Sequence, residues 1–208
     1  MELLLLGATG AVGREVLELA LNDPSIPTVT APTRRPLTPH EKLHNPVVDF
    51  TMPLPAAGWW KADALLCCLG TTIKKAGSQA AFRAVDHDLI LEAAQKAHDY
   101  GTPVMVLNSS LGANSASRNF YLRTKGETED DLRRIGFRRL ALVRPSLIDT
   151  DREEARFGEK AGLIASRLLR PIIPAHYRAV SARSIARTML DSVLGSDGVR
   201  VIESEEIR

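Results

Sequence analysis

One early turn restricts everything that follows it. Four leucines, residues 3–6, run into Gly7-Ala8-Thr9-Gly10-Ala11-Val12-Gly13, and a helix-forming stretch over 14–21 runs out. An apolar strand, a glycine turn and a helix, in that order, present backbone N–H groups to a phosphate. Glycine accepts positive φ there and lets an oxygen-rich ligand approach the main chain. The helix N-terminus adds partial positive charge from its unpaired amides. The spacing is Gly-x-x-Gly-x-x-Gly rather than the Gly-x-Gly-x-x-Gly of the dinucleotide fingerprint. A tight strand-to-helix turn without a ligand would carry the same glycines, so the rest of the chain has to decide between the two.

The rest alternates. Residues 3–6 are apolar on both faces, as in a central parallel strand. Further strands are expected at 28–31, 47–48, 64–69, 103–107, 140–143 and 199–202. Helices are expected over 14–21, 79–100, 119–135 and 182–194. The second of these is read from a stripe of Phe82, Val85, Leu89, Ala93 and Ala97 at helical spacing. Such alternation predicts an α/β fold, a Rossmann-type doubly wound parallel sheet in one domain over 1–208. Residues 150–180, with a helical stretch at 163–169, are expected to form a small C-terminal cap on the substrate side. Phe157, His176 and Tyr177 in or near it are candidates for lining a substrate pocket. Trp59 and Trp60 read as packing anchors.

Composition narrows the function. A net charge of +2, dispersed along the chain, argues against nucleic-acid binding. The only cysteines, Cys67 and Cys68, are adjacent in an apolar run, which makes them buried free thiols and implies a reducing compartment. No apolar stretch has the length of a membrane span, and a cytoplasmic protein is expected. No metal site is read from the sequence, and the oligomeric state, a dimer included, stays open.

In open parallel sheets ligands bind outside the carboxyl ends of the strands, and the unusual residues of this chain fall there. They are Gly7–Gly13 after the first strand, Thr33-Arg34-Arg35 after the second and Asp49 after the third. Gly70-Thr71-Thr72 follows the fourth, Asn108-Ser109-Ser110 the fifth and Arg144-Pro145-Ser146 the sixth. The end of strand two carries no acidic residue to accept from an unmodified ribose. Arg34 and Arg35 stand where a 2′-phosphate would sit, and arginine's planar fork of donors suits phosphate. In Tyr121-Leu122-Arg123-Thr124-Lys125 the first and last residues share a helix face. An ammonium there lowers the pKa of a phenol from its usual ~10, which equips Tyr121 to exchange a proton with a carbonyl or alcohol oxygen. Ser109 or Ser110 would hydrogen-bond the same oxygen.

Together these features resemble the atypical branch of the short-chain dehydrogenase/reductase superfamily. Residues 6–13 are similar to its glycine turn, and Tyr121-x-x-x-Lys125 to its catalytic pair. Within that branch the chain is similar to the Tat-interacting oxidoreductase group. The matching residues are Cys68-Leu69-Gly70-Thr71-Thr72, Lys75-Ala76-Gly77, Asn108-Ser109-Ser110, Tyr121-Leu122, Lys125-Gly126-Glu127 and Arg144-Pro145. The likeness spans about residues 1–150. It implies NADP as cofactor rather than NAD, with Thr9, Gly10, Ala11 and Val12 along the pyrophosphate, Gly7 and Gly13 beside them in the cofactor-binding set, and Arg34 and Arg35 on the 2′-phosphate. It puts Asp49 near the adenine and Leu69, Gly70 and Thr71 near the adenine ribose. Asn108 joins the cofactor-binding set, Lys125 holds the nicotinamide ribose, and Arg144, Pro145 and Ser146 border the nicotinamide. Two departures stand out. Cys68-Leu69-Gly70 replaces the superfamily's Asn-Ala-Gly after strand four, and Ser109 fits the catalytic spacing to Tyr121 slightly better than Ser110. The implied activity is hydride transfer between nicotinamide and a small carbonyl or alcohol, with Tyr121 as acid/base. The alternative is a regulatory protein that senses NADP(H) or binds a partner with little turnover.

Overall fold

The structure, a computed structural model, describes residues 1–149 and 178–207. Strand β1 (Glu2–Leu6) leads into helix α1 (Ala11–Asn22), followed by β2 (Thr28–Thr30) and β3 (Leu43–His44). Then come β4 (Ala64–Cys67), the short α2 (Ile73–Ala76), α3 (Gln79–Arg83) and α4 (Leu89–Asp99). The second half contributes β5 (Val104–Asn108), α5 (Phe120–Ile135) and β6 (Arg139–Arg144). It continues through β7 (Ile148–Asp149), β8 (Val180–Ser181), α6 (Ala182–Asp191) and β9 (Gly198–Glu203).

Seven strands form one sheet in the order β3-β2-β1-β4-β5-β6-β9, every neighbouring pair parallel. The order reverses between β1 and β4, so the exits of those two strands flank the crevice where such sheets take ligands. Leucines 3 to 6 are all buried because both faces of β1 are covered. Leu3 and Leu5 pack toward α1 and α6 with Val12, Val16, Ile185 and Met189. Leu4 and Leu6 pack toward the other layer with Ile90, Ala93, Leu132 and Trp60. Trp60 is fully buried and its indole N–H donates to the Pro55 carbonyl (2.8 Å), the anchor expected of it.

Three local readings are corrected. The third strand lies at Leu43–His44, before the valine pair; of that pair only Val47 makes a strand bridge, to Thr33. The long second helix is interrupted by a π-turn over Ala84–Asp88. A π-turn inserts an extra residue per turn, so it rotates the inward face. The buried stripe is therefore Phe82, Asp86, Ile90, Ala93 and Ala97, while Val85 and Leu89 are only half-buried. Finally, β7 and β8 pair in parallel as a separate two-stranded ribbon. The expected cap helix at 163–169, with Phe157, His176 and Tyr177, lies outside the described residues.

Candidate functional site

At the exit of β1, Gly7 has φ +82°, a left-handed conformation, and a Cβ there would meet the Cys68 carbonyl at 2.6 Å. The two central strands close on each other at this point: the Cys68 N–H donates to the Leu6 carbonyl at 2.9 Å. Gly13, one turn into α1, packs so tightly that a Cβ would lie 2.1 Å from the Gly7 oxygen. The Gly10 N–H donates to the Gly7 carbonyl and the Arg14 N–H to the Gly10 carbonyl. The amides of Ala11 and Val12 precede that first helical bond, and no acidic side chain occupies the first turn of α1. With Thr9 exposed beside them, they form an anion-accepting helix start at the switch point.

Next to it, the β2 exit carries Arg34 and Arg35, both exposed, with neither guanidinium paired to a described side chain. No helix supports this crossover; residues 31–42 are irregular. Order comes from Asn45, just past β3. Its amide donates to the Ala31 carbonyl (2.5 Å) and to Thr33 Oγ1 (2.8 Å), and its oxygen accepts from the Leu37 N–H (2.7 Å). The Thr33 hydroxyl in turn donates to the Arg35 carbonyl at 2.7 Å. Asp49 is exposed and accepts from the Thr51 hydroxyl and N–H, which hold its carboxyl below the usual range.

Across the switch point, beside the β4 exit, lies a buried ion pair. Lys125 on α5 is 4% exposed and Asp86, in the π-turn, is 0% exposed. Their Nζ–Oδ1 distance is 2.7 Å. The second Asp86 oxygen accepts from the Thr71 N–H at 2.8 Å, and the Asp86 main-chain carbonyl accepts from the Thr128 hydroxyl at 2.9 Å. Burial works against the Lys125 ammonium, but the Asp86 carboxylate, and after it Tyr121, outweigh that cost and raise its pKa above the ordinary lysine value. Lys125 thus stays charged while buried. A Cβ on Gly70 would sit 3.3 Å from Asp86 Oδ1 and 3.8 Å from Lys125 Nζ, so the β4 exit runs directly past the pair. Tyr121 lies one helical turn earlier, half-buried, its ring centroid 5.6 Å from that of Phe82.

The two serines after β5 separate. Ser109 is buried and donates to Glu129 at 2.6 Å. Glu129 is itself fully buried and is gripped at both oxygens by Arg144 (3.0 and 2.6 Å), which reaches on to Glu203 (2.9 Å). Those carboxylates, Glu129 above all, push the Arg144 pKa above the usual arginine range. The Arg144 side chain is therefore committed to tying β6, α5 and β9 together, and only the backbone with Pro145 and Ser146 borders the sheet edge. The Ser146 N–H donates to Ser204 Oγ at 3.2 Å. Among the described residues Ser110 makes only a long contact to the Leu111 carbonyl (3.4 Å), whereas the Ser109 hydroxyl is engaged by Glu129. The loop carrying it is pinned to α5 at Gly126, where a Cβ would come within 2.1 Å of the Ser115 nitrogen.

Asn108, ending β5, has a buried Oδ1 with no donor among the described residues. By alternation its side chain emerges on the face of Val104 and Val106, the α1 side of the sheet. An orphaned buried acceptor calls for a donor from outside. Together with the amides at the start of α1, the exposed Arg34–Arg35 pair and the buried Lys125 charge, it fits a dinucleotide laid along this edge.

Comparison with known proteins places the chain. No family model matches it. HTATIP2 of Rattus norvegicus is 34% identical over 210 residues, covering 98% of this chain and 86% of the relative. The chain belongs to the HTATIP2 family. The mitochondrial protein fmp52 of Aspergillus fumigatus is 38% identical over 171 residues, 76% of this chain and 70% of the relative. Among solved structures, a short chain dehydrogenase family protein of Francisella tularensis superposes with TM-score 0.69 over 99% of this chain and 98% of its own, at 17% identity. MoeE5, solved with UDP-glucose and NAD, gives TM-score 0.73 over 98% of this chain and 76% of its own, at 15% identity. This HTATIP2-family chain thus has the fold of the atypical short-chain dehydrogenase/reductases.

Three residues that organise the site of this HTATIP2-family member are not singled out by the sequence: Asn45, Asp86 and Glu129. Of these only Asp86 has a visible signal, a carboxylate four residues after Phe82 and four before Ile90 on an apolar face. Gly126 stands within a matching stretch, but its packing role shows only in the structure. Both cysteines are free; Cys67 is buried as expected, which pushes its thiol up to about 12, whereas Cys68 is only half-buried and lies against Met189 (Sγ–Sδ 3.7 Å). No helix among the described residues is long and apolar enough to cross a membrane.

Proposed function

We propose that the chain is an NADP-dependent oxidoreductase acting on a small carbonyl or alcohol. The observation that carries this reading is the buried, charged Lys125 one helical turn from Tyr121 at the carboxyl edge of the sheet. A structural lysine on an amphipathic helix would extend its ammonium into water. The NAD in the MoeE5 complex supports a dinucleotide on this fold. Thr9, Gly10, Ala11 and Val12 would hold the pyrophosphate, Arg34 and Arg35 the 2′-phosphate, and Asp49 the adenine side. Leu69, Gly70 and Thr71 would pack on the adenine ribose, Asn108 and Lys125 serve the nicotinamide half, and Pro145 and Ser146 border its ring. When bound, the nicotinamide supplies or takes the hydride. Tyr121 then gives its hydroxyl proton to the substrate oxygen, or takes one in reverse, next to the Lys125 ammonium. Ser110 donates to that oxygen as its charge grows, while Ser109 serves the Glu129 network.

Tyr121→Phe is expected to lower turnover by about 100-fold or more, with the NADPH dissociation constant within about twofold of wild type because the ring contacts remain. NADPH consumption over a panel of aldehydes, ketones and quinones measures the first, fluorescence titration the second. Undiminished turnover would remove Tyr121 from the chemistry. Replacing both Arg34 and Arg35 by alanine is expected to abolish a preference for NADPH over NADH, read from the same titration. A preference that persists would reassign the 2′-phosphate site.

One observation favours the second reading, a cofactor-binding regulator. Asp86 already compensates Lys125 at 2.7 Å, which reduces the field that the ammonium exerts on Tyr121. No turnover over the panel, together with tight NADPH binding, would select that reading.

A further inference from the structure

Building on the NADP reading, we propose that Asn45 is a specificity-determining residue: it holds the Arg34–Arg35 loop in the shape that receives a 2′-phosphate. In a doubly wound sheet the crossover after the second strand usually contains a helix, which fixes the loop at the strand's end. Here the crossover over residues 31–42 contains none, and three prolines, Pro32, Pro36 and Pro39, remove main-chain donors from it. The loop's main-chain bonds lie on either side of the arginines. Before them, the Ala31 N–H donates to the His44 carbonyl, the Thr33 N–H to the Pro46 carbonyl, and the Thr33 carbonyl accepts from the Val48 N–H; after them, the His40 and Lys42 carbonyls accept from Leu43 and Val29. The first group ends at Thr33, one residue short of the arginines.

Asn45 spans the remainder. Its single carboxamide takes the Ala31 carbonyl before the arginines, Thr33 Oγ1 beside them, and the Leu37 N–H after them. Through the Thr33 hydroxyl it also reaches the carbonyl of Arg35 itself. Both sides of the two-arginine segment are thus fixed to one side chain, while Arg34 and Arg35 stay exposed, with no side-chain partner for either guanidinium among the described residues. A carboxamide can do this because it carries two donors and an acceptor in one plane. The charges supply attraction to a phosphate, and Asn45 supplies the preorganisation without which ordering the loop would be charged against binding. The Asn45 side-chain bonds go to Ala31, Thr33 and Leu37, all within this loop, so its effect is expected on the ligand that carries the extra phosphate.

Fluorescence titration of wild type, Asn45→Ala, the Arg34→Ala/Arg35→Ala double variant and the triple variant with NADPH and NADH tests this. Loss of three hydrogen bonds, partly replaced by water, gives an expected loss of about tenfold in NADPH affinity for Asn45→Ala. NADH affinity should move less than about twofold, and the triple variant should bind NADPH no more weakly than the double one. Thr33→Val, which removes only the hydroxyl link to Arg35, keeps the test available should Asn45→Ala fold poorly; an NADPH-specific loss of about threefold is expected. Equal losses for NADPH and NADH would overturn the proposal and make Asn45 a general scaffold residue. An NADPH preference lost in the double variant but kept in Asn45→Ala and Thr33→Val would overturn it while leaving the arginine assignment standing. A preference that survives the double variant, or none in wild type, would overturn the 2′-phosphate reading and this proposal with it.

Discussion

Asp86→Asn is expected to destabilise the protein by about 3–5 kcal/mol, the usual cost of removing one member of a buried ion pair. The substitution changes almost no volume, so packing loss does not contribute. What remains is an ammonium at a 4% exposed residue with no countercharge. The new amide has one oxygen for two donors, so either the Thr71 N–H or Lys125 Nζ faces an NH2 group instead. Chemical denaturation of the two proteins measures the gap. Its pH dependence has a definite sign. In wild type the Lys125 pKa is raised on folding, so its contribution is complete below the unfolded value of 10.5 and is lost as pH rises through the higher folded value. In the variant the Asp86 carboxylate no longer offsets burial, which lowers the folded pKa of Lys125, a penalty that is relieved as pH rises through that lowered value. The gap should therefore be widest near neutrality and shrink with rising pH, first below the ordinary lysine pKa as the variant's penalty is relieved, then above it as the wild-type contribution is lost. A gap independent of pH would show that Lys125 charge is not what Asp86 supports.

Gly126→Ala is the second large effect. Alanine would improve helix propensity in α5 by about 1 kcal/mol. Against that, the new Cβ would fall 2.1 Å from the Ser115 nitrogen and 2.2 Å from the Asn114 carbonyl carbon. These are backbone atoms, and a side chain cannot simply swing away from them. Overpacking costs about 1–3 kcal/mol, and more where backbone must shift, so steric cost exceeds propensity and the variant is expected to be about 2 kcal/mol or more less stable. The displaced loop also carries Ser110, so turnover should fall further than the unfolded fraction explains. Thermal unfolding and activity on the folded protein separate the two effects. A variant as stable as wild type would mean that the loop at 114–115 has slack.

The sequence carried the frame well because the frame is written in local patterns. A strand buried on both faces shows as an unbroken apolar run, as at residues 3–6, and a helix N-terminus at a strand exit shows as glycines. Tyr121 and Lys125 were legible because four residues make one helical turn. Where the reading failed, the determinant was either too short or three-dimensional. Leu43–His44 is two residues of strand with no period to detect, and the β-branched pair at 47–48 was the stronger signal. The π-turn at Ala84–Asp88 has no compositional mark, so the buried face was placed one residue away from Asp86. Nothing in the order of residues says that Asn45 bonds across to Ala31, or that Ser109 rather than Ser110 is spent on Glu129.

The small ribbon of β7 and β8 has a consequence for the helix that follows it. Ile148 pairs with Val180, and the Val180 N–H donates to the Leu147 carbonyl at 2.9 Å. The residue pair that opens α6 is thereby fastened to the segment that leaves β6. That anchor sets where α6 begins against the sheet, and with it the seating of Ile185 and Met189 beside Val12 and Val16 of α1. A substitution that loosens two short strands would therefore be felt in the main core, as a shift of α6 along α1.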